Sequence, residues 1–496
     1  MSSYTRFVMS VLSLLSIGLT SEAQGIPGHP SDLRYELLDF IPPVAPEHRY
    51  ELSNGVVAFV VEDNELPLVS VAVTIRTGSY LDPPAKVGLA NLTGGQMRAG
   101  GTTNIGASDF DEQAAFLAAE IGSGIGATSG RASMNCLTKD LGACLDLFFE
   151  MLRYPRFEED RLELAKSQAI QQMERRNDST GSIERREWRR LMRGEAHFST
   201  LPSTRTTIEA ITREDLVAFH QQYFHPGNFI FAISGDVQTA SILAELERRL
   251  GGWTVQGQQV ESVPAPQDKP QPGLYLVDKP DVNQGRVAIG HLGTMRDNPD
   301  RYKLLVMNDI LGGGGFSARL LTRIRSDEGL AYSASSTFGV GVHYPGVFQA
   351  GFQSRSETVA RATAIVLEEI DRIRSEAVQA EELANSIAYF VETFSRNFSS
   401  AASTAGLFAN DEYTGRDPSY LATYRENIAA VTTDDVLEVA QRYLDPASLA
   451  ILVVGDIETI LAGDPERPEF ELEAMSPGAT LRIPLPDPVT MEYPER

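Results

Sequence analysis

The chain has 496 residues, 42% hydrophobic and 22% charged, which is too long for one ordinary core and too apolar for a disordered protein. Its formal net charge is −24, and a surface so acidic repels phosphate and excludes a nucleic-acid partner. Its two cysteines cannot build a disulfide scaffold or a Cys-rich metal site, while its seven histidines leave a His-based site open on count alone.

Residues 1–23 read as a secretory signal. Arg6 supplies the positive start, residues 7–19 are apolar apart from Ser and Gly, and Ser21-Glu22-Ala23 puts small residues before a cleavage at Gln24. The run is shorter than the roughly 20 residues a spanning helix needs, and no later window is apolar enough. The expectation is a secreted chain, in a bacterial periplasm, with no membrane span; an uncleaved anchor or a frayed terminus is the alternative. In an oxidising compartment Cys136 and Cys144 could pair, although two separate buried thiols is the favoured reading.

Strands are expected at residues 56–61 and 69–76, followed by Gly88-Leu89-Ala90-Asn91-Leu92-Thr93-Gly94-Gly95. Two glycines there weaken a helix by about 1 kcal/mol each relative to Ala, which suits a loop. A helix follows near residues 108–120, a strand at 127–137 and a helix at 139–152, then long polar-faced helices. Arg185, Arg186, Arg189, Arg190 and Arg193 recur at helical spacing. That stripe reads as a solvated face offset by Glu184 and Glu187, with contact to an acidic partner as the alternative. Residues 259–272, rich in Pro, form a linker. Beyond it lie a glycine run, Gly312-Gly313-Gly314-Gly315-Phe316, and Arg325-Ser326-Asp327-Glu328-Gly329-Leu330-Ala331-Tyr332. The glycine run is not a phosphate loop, because no Gly-Lys-Ser/Thr follows; locally it reads as a flexible turn. Gly329 suits a helix end that releases the chain into a strand carrying Tyr332. The isolated reading of the pair is an Arg at a helix end and a core Tyr. After about residue 461 the chain becomes Pro-rich and reads as an extended tail.

The chain repeats itself with an offset of 220 residues. Thr212-Arg213-Glu214-Asp215 and Thr432-Thr433-Asp434-Asp435 both open helices with capping boxes. Leu216, Phe219 and Tyr223 are matched by Val436, Val439 and Tyr443, and His225-Pro226 by Asp445-Pro446. Each turn then feeds a buried strand ending in Gly-Asp. The period is far longer than a solenoid repeat, so this is a duplicated domain. Strands followed by runs of helices predict an α+β fold of two duplicated domains, residues 46–258 and 273–460, each a mostly antiparallel sheet packed with helices, with residues 461–496 as the tail.

The duplicated halves, the Gly-Leu-Ala segment at Gly88 and the Arg325–Tyr332 segment together resemble the pitrilysin/insulinase family of zinc metallopeptidases. The resemblance spans roughly residues 46 to 460. It implies that Gly-Leu-Ala should be followed by His-x-x-Glu-His on a helix, two His binding Zn²⁺ and the Glu acting as general base. Here Asn91 and Gly95 stand at the His positions, Gly94 at the Glu position, and Gln172 where the third ligand, a Glu, would fall. No two of the seven histidines are three or four residues apart, and His220 and His225 read as structural. No metal site and no cofactor are expected in this chain. Gly126-Ala127 replaces the Asn-Ala of the family's cleft strand, which puts peptide docking on the first half in doubt.

What the resemblance retains is the opposite wall. It assigns Arg325 and Tyr332 to the substrate backbone and the developing oxyanion, where a guanidinium and a phenol can stabilise charge. It assigns Gly312, Gly313, Gly314 and Gly315 to substrate handling, as in the non-catalytic subunit of two-chain members. The implied protein is the zinc-less subunit of a two-chain, secreted metallopeptidase, a heterodimer with a His-x-x-Glu-His chain that holds the zinc and shares a chamber for peptide substrates. A non-enzymatic periplasmic scaffold or peptide-binding protein is the competing expectation.

Overall fold

Strand alternation and helix capping set the local structure. In the computed structural model, which describes residue 29, residues 40–253 and residues 260–494, the first half contains β1 (Arg49–Glu51), β2 (Val57–Glu62), β3 (Leu68–Ile75), β4 (Glu120–Ile125), β5 (Gly130–Leu137) and β6 (Phe229–Gly235). The second contains β7 (Gly273–Asp278), β8 (Gln284–Leu292), β9 (Thr294–Met295), β10 (Ala331–Phe338), β11 (Val340–Gly341), β12 (Val347–Arg355), β13 (Ala450–Gly455) and β14 (Ala479–Arg482). The reading of residues 1–23 as a signal lies outside the described residues. The described residues from Pro42 onward cluster as one unit.

The sheets run β1-β2-β6-β3-β5-β4 and β10-β12-β8-β13-β7-β14, with β9 and β11 forming a small parallel ribbon. Leaving out the outer strands β1 and β14, the two orders superpose strand for strand. This is the expected α+β duplication. The pairings are antiparallel except β2 with β6, β13 with β7 and β14 with β7. Both repeat helices form as the sequence predicts, Arg213–Tyr223 and Thr433–Tyr443, each closed by a reciprocal Thr–Asp capping box.

β6 and β13 are buried along nearly their whole length, on both faces. The reason is an exchange of helices. Helix Ala401–Thr414 of the second half lies on β2, β3 and β6 of the first, and helix Thr180–Arg193 of the first lies on β8 and β13 of the second. Phe408 is fully buried and meets Phe59 and His48 with ring centroids 5.9 and 5.7 Å away. Ile183, Trp188 and Met192 pack with Tyr275, Val277, Leu452 and Val454. Arg49 closes the seam with a two-pronged bond to Glu412 at 3.2 and 3.0 Å.

Four expectations are corrected. Leu89–Ala99 is a helix, not a loop, because Leu89, Ala90, Leu92 and Met97 are buried in the core and outweigh the low helix propensity of its glycines. The helix expected near residues 108–120 is Ala107–Phe116, and the chain then enters a strand, β4. The arginine stripe is only partly the solvated face expected: Arg185 and Arg189 are exposed, and Glu187 offsets Arg186 and Arg190 as expected, but Arg186, Arg190 and Arg193 also form a seam within the chain. Arg186 bonds the buried Glu187 at 2.7 Å, Arg190 sits 3.9 Å from the Tyr493 ring centroid, and Arg193 sits 5.1 Å from that of Tyr344. The C-terminal segment is extended but pinned. It supplies β14, then Asn177 and Arg176 donate to the carbonyls of Pro486 and Pro488, and Tyr493 donates to Glu187.

Candidate functional site

The helix Leu89–Ala99 begins without a side-chain cap of its own. Asp82 supplies one from a distance, accepting from the backbone N–H groups of Gly88 and Ala90 at 2.9 and 2.8 Å. Burial pushes its carboxyl pKa up to about 6, against the opposing pull of those two bonds.

Asn91 and Gly95 lie one turn apart and exposed on this helix, and Gly94 faces the other way, buried against β4. A Cβ at Gly94 would lie 2.4 Å from the backbone N of Ile125 and 2.7 Å from the carbonyl carbon of Gly124. The helix is tied to that strand, since Ser123 Oγ donates to the Gly94 carbonyl at 2.6 Å and Arg98 Nε to the Ile121 carbonyl at 3.0 Å. A Glu has no room at position 94 in this backbone. Gln172 is exposed on helix Glu159–Glu174. Two amides and two hydrogens do not make a zinc site, so these residues do not fit the metal that the motif implies. Among the described residues, no group of three or more His, Cys, Asp or Glu is placed to hold one. His220 and His225 are buried, with His220 Nε2 2.9 Å from the Leu152 carbonyl.

The second half repeats this packing at its own edge. Asp309–Gly313 forms a π-helical turn against β10, and a Cβ at Gly312 would lie 2.5 Å from both the N and the Oγ of Ser336. Asn308 locks the turn, donating to the Ser336 carbonyl at 3.2 Å and accepting from its hydroxyl at 2.9 Å. Gly313 and Gly314 crowd Asn308 and Asp309, and only Gly315 faces open space. The glycine run therefore seats a helix end on an edge strand, much as Gly94 seats the middle of its helix on β4.

Arg325 and Tyr332 are brought together. Arg325 lies in the π-helical segment Thr322–Asp327, Gly329 turns the chain at φ +63°, and Leu330 donates back to the Ile324 carbonyl at 2.8 Å. A register shift between Ala331 and Ala334 leaves Tyr332 on the surface, 81% exposed. Its ring centroid is 4.6 Å from the Arg325 guanidinium, and that of Phe316, 78% exposed, is 5.0 Å away on the same guanidinium. Among the described residues no carboxylate is ion-paired with Arg325, so the ring faces hold its charge. Tyr332 is not a core residue. Phe316 is the part that the sequence reading missed; a large aromatic directly after four glycines was its signal.

A cleft of about 870 Å³ opens where β3, β4 and β5 meet helix Ala401–Thr414 and the loop at Val342 and His343. Arg98, Glu120, Arg131, Asn135, His343 and Tyr413 are among its polar lining, and none of Asn91, Gly95, Gln172, Arg325 and Tyr332 lines it.

Comparison with known proteins gives this geometry a family. Residues 58–201 match the model described as "Insulinase (Peptidase family M16)", and residues 210–389 the one described as "Peptidase M16 inactive domain". The chain is 23% identical to an "Uncharacterized zinc protease YmxG" of Bacillus subtilis, covering 68% of this chain and 81% of that protein. It is 25% identical to a "Non-peptidase homolog YmxG" of Helicobacter pylori, covering 65% and 75%. In fold it is similar to a peptidase M16 inactive domain from Pseudomonas fluorescens, with a TM-score of 0.74 and 24% identity over 82% of this chain and 97% of that one. The chain belongs to the M16, or insulinase, peptidase family, as an inactive member whose zinc-ligand and general-base positions carry Asn91, Gly94, Gly95 and Gln172.

Proposed function

We propose that this chain is the zinc-less subunit of a secreted, two-chain M16 peptidase. A partner chain carrying His-x-x-Glu-His supplies the metal half, and this chain supplies Arg325 and Tyr332 to the substrate backbone and the developing oxyanion. The observation that carries the reading is the contrast between the two walls. Position 94 is closed to any side chain, yet a half-buried Arg325 guanidinium stands beside the exposed Tyr332 phenol, and among the described residues neither is ion-paired or hydrogen-bonded to a carboxylate. A guanidinium held by stacking is already positioned, so little rotamer freedom is lost when it meets a peptide carbonyl. The chain's own part is to bind and orient the peptide and to donate hydrogen bonds where negative charge appears.

The test is assembly. A specific interface buries on the order of 1,600 Å², so a His-x-x-Glu-His family member from the same host should co-elute with this chain on gel filtration at micromolar concentration and gain peptidase activity. Separate elution with no gain would transfer support to the scaffold reading, which the Helicobacter relative's designation as a non-peptidase homolog favours.

A further inference from the structure

A second cavity, of about 680 Å³, shares no lining residue with the cleft between the halves. It lies between the end of helix Leu141–Arg153, one face of helix Arg213–Tyr223 along its length, and the turn at Trp253. The geometry points to a binding site for an organic anion that joins a carboxylate to a flat apolar body.

The charge of the cavity runs against that of the protein. Arg153, Arg156 and Arg213 line it, although the chain carries a net charge of −24. Arg156 is paired with Glu158 at 3.2 Å. Among the described residues neither Arg153 nor Arg213 is ion-paired with a carboxylate. Arg153 lies 5.2 Å from the ring centroids of both Tyr154 and Trp253 and donates one bond to the Gly252 carbonyl at 3.1 Å. Arg213 donates through Nε to the Arg156 carbonyl at 3.0 Å. Each guanidinium is thus oriented while most of its donors remain, the arrangement that a carboxylate takes up. Tyr154, Trp253 and Phe224 supply flat apolar walls.

Two further observations mark the place as built for more than packing. His225 lines the cavity with its ring 3% exposed, and its Nδ1 has no hydrogen-bond partner although Nε2 meets Asn228 at 3.3 Å. Phe157, fully buried in the same wall, holds a left-handed φ of +54°, which a bulky side chain rarely adopts. The duplication provides an internal control. At the repeat positions of Arg213, His220 and His225 the second half carries Thr433, Ala440 and Asp445. The fold forms there without them, so folding alone does not call for these groups in the first half.

Trp253 gives the test its signal. Titration of the full chain with 3-phenylpropionate, followed by tryptophan fluorescence and by calorimetry, should show saturable binding, and the neutral 3-phenylpropanamide should bind at least about tenfold more weakly. Arg213→Gln and Arg153→Gln should each weaken the acid by about tenfold, the scale of one charge-assisted pair. Trp253→Phe should remove the fluorescence change and keep the heat of binding. The assignment is overturned if the amide matches the acid, if both arginine variants bind as wild type, if inorganic phosphate displaces the acid at equal concentration, or if no saturable response appears.

Discussion

Gly94 and Gly95 are neighbours in one helix with opposite surroundings. A Cβ at 94 would lie 2.4 Å from backbone, and one at 95 meets nothing within 4 Å. Gly94→Ala should therefore destabilise the fold by about 1–3 kcal/mol through overpacking, whereas Gly95→Ala should stabilise it by up to about 1 kcal/mol through helix propensity. Urea unfolding of the two variants checks the contrast; equal effects would mean that β4 does not press on the helix. His220 gives a residue-scale pH dependence. Burial against Phe157 and Phe224 pulls its pKa down to about 4. The unfolded chain takes up this proton near pH 6.5 and the folded chain only near pH 4, so between these values the unfolded state binds more protons. Stability should fall as pH drops through that window, by about 3 kcal/mol at the acid end. His220→Gln should flatten that part of the profile of urea midpoint against pH, and an unchanged slope would show that another group is responsible.

The exchanged helices are the elements on which the fold depends most. Trp188 and Phe408 each fill the far face of the other half's sheet, so Trp188→Ala or Phe408→Ala should cost about 3–5 kcal/mol in urea unfolding. A loss below 1 kcal/mol for both would contradict the exchange. Much at this scale was legible in the sequence. The capping boxes Thr212–Asp215 and Thr432–Asp435, the apolar phase behind them and the strands ending at Gly235 and Gly455 announce themselves locally. β4 did not, because Gly122-Ser123-Gly124 carries neither β-branched residues nor alternating apolar ones; its strand state comes from pairing with β5 and from the helix on its free edge. The exchange itself was hidden as well, since an amphipathic helix shows that it has a partner without showing which one. Arg190 and Arg193 were hidden for that reason: besides the neighbouring Glu187, the groups that receive them are Tyr493 and Tyr344, far away in sequence.

For the whole molecule, duplication followed by divergence explains the distribution of chemistry. Both halves seat a glycine of a helical segment against an edge strand, Gly94 in mid-helix on β4 and Gly312 in the π-helical turn on β10. The first half lacks the side chains that would meet a metal, and the second carries a half-buried cation stacked on an exposed phenol. The substitutions at Asn91, Gly94, Gly95 and Gln172 were readable by position; that the backbone had closed over Gly94 was not, because a glycine's surroundings leave no trace in its own letter. Arg325 and Tyr332 were readable as a spaced pair, and their stacking with Phe316 emerged only from the turn at Gly329. The central claim, that this wall serves chemistry whose metal half lies in another chain, is tested most directly by the turnover of Tyr332→Phe in the assembled complex with a His-x-x-Glu-His chain. The account predicts that kcat falls by roughly 10²–10³, the effect of removing one oxyanion donor, with KM, zinc content and assembly unchanged. Turnover within about twofold of wild type in an intact, zinc-loaded complex would contradict it.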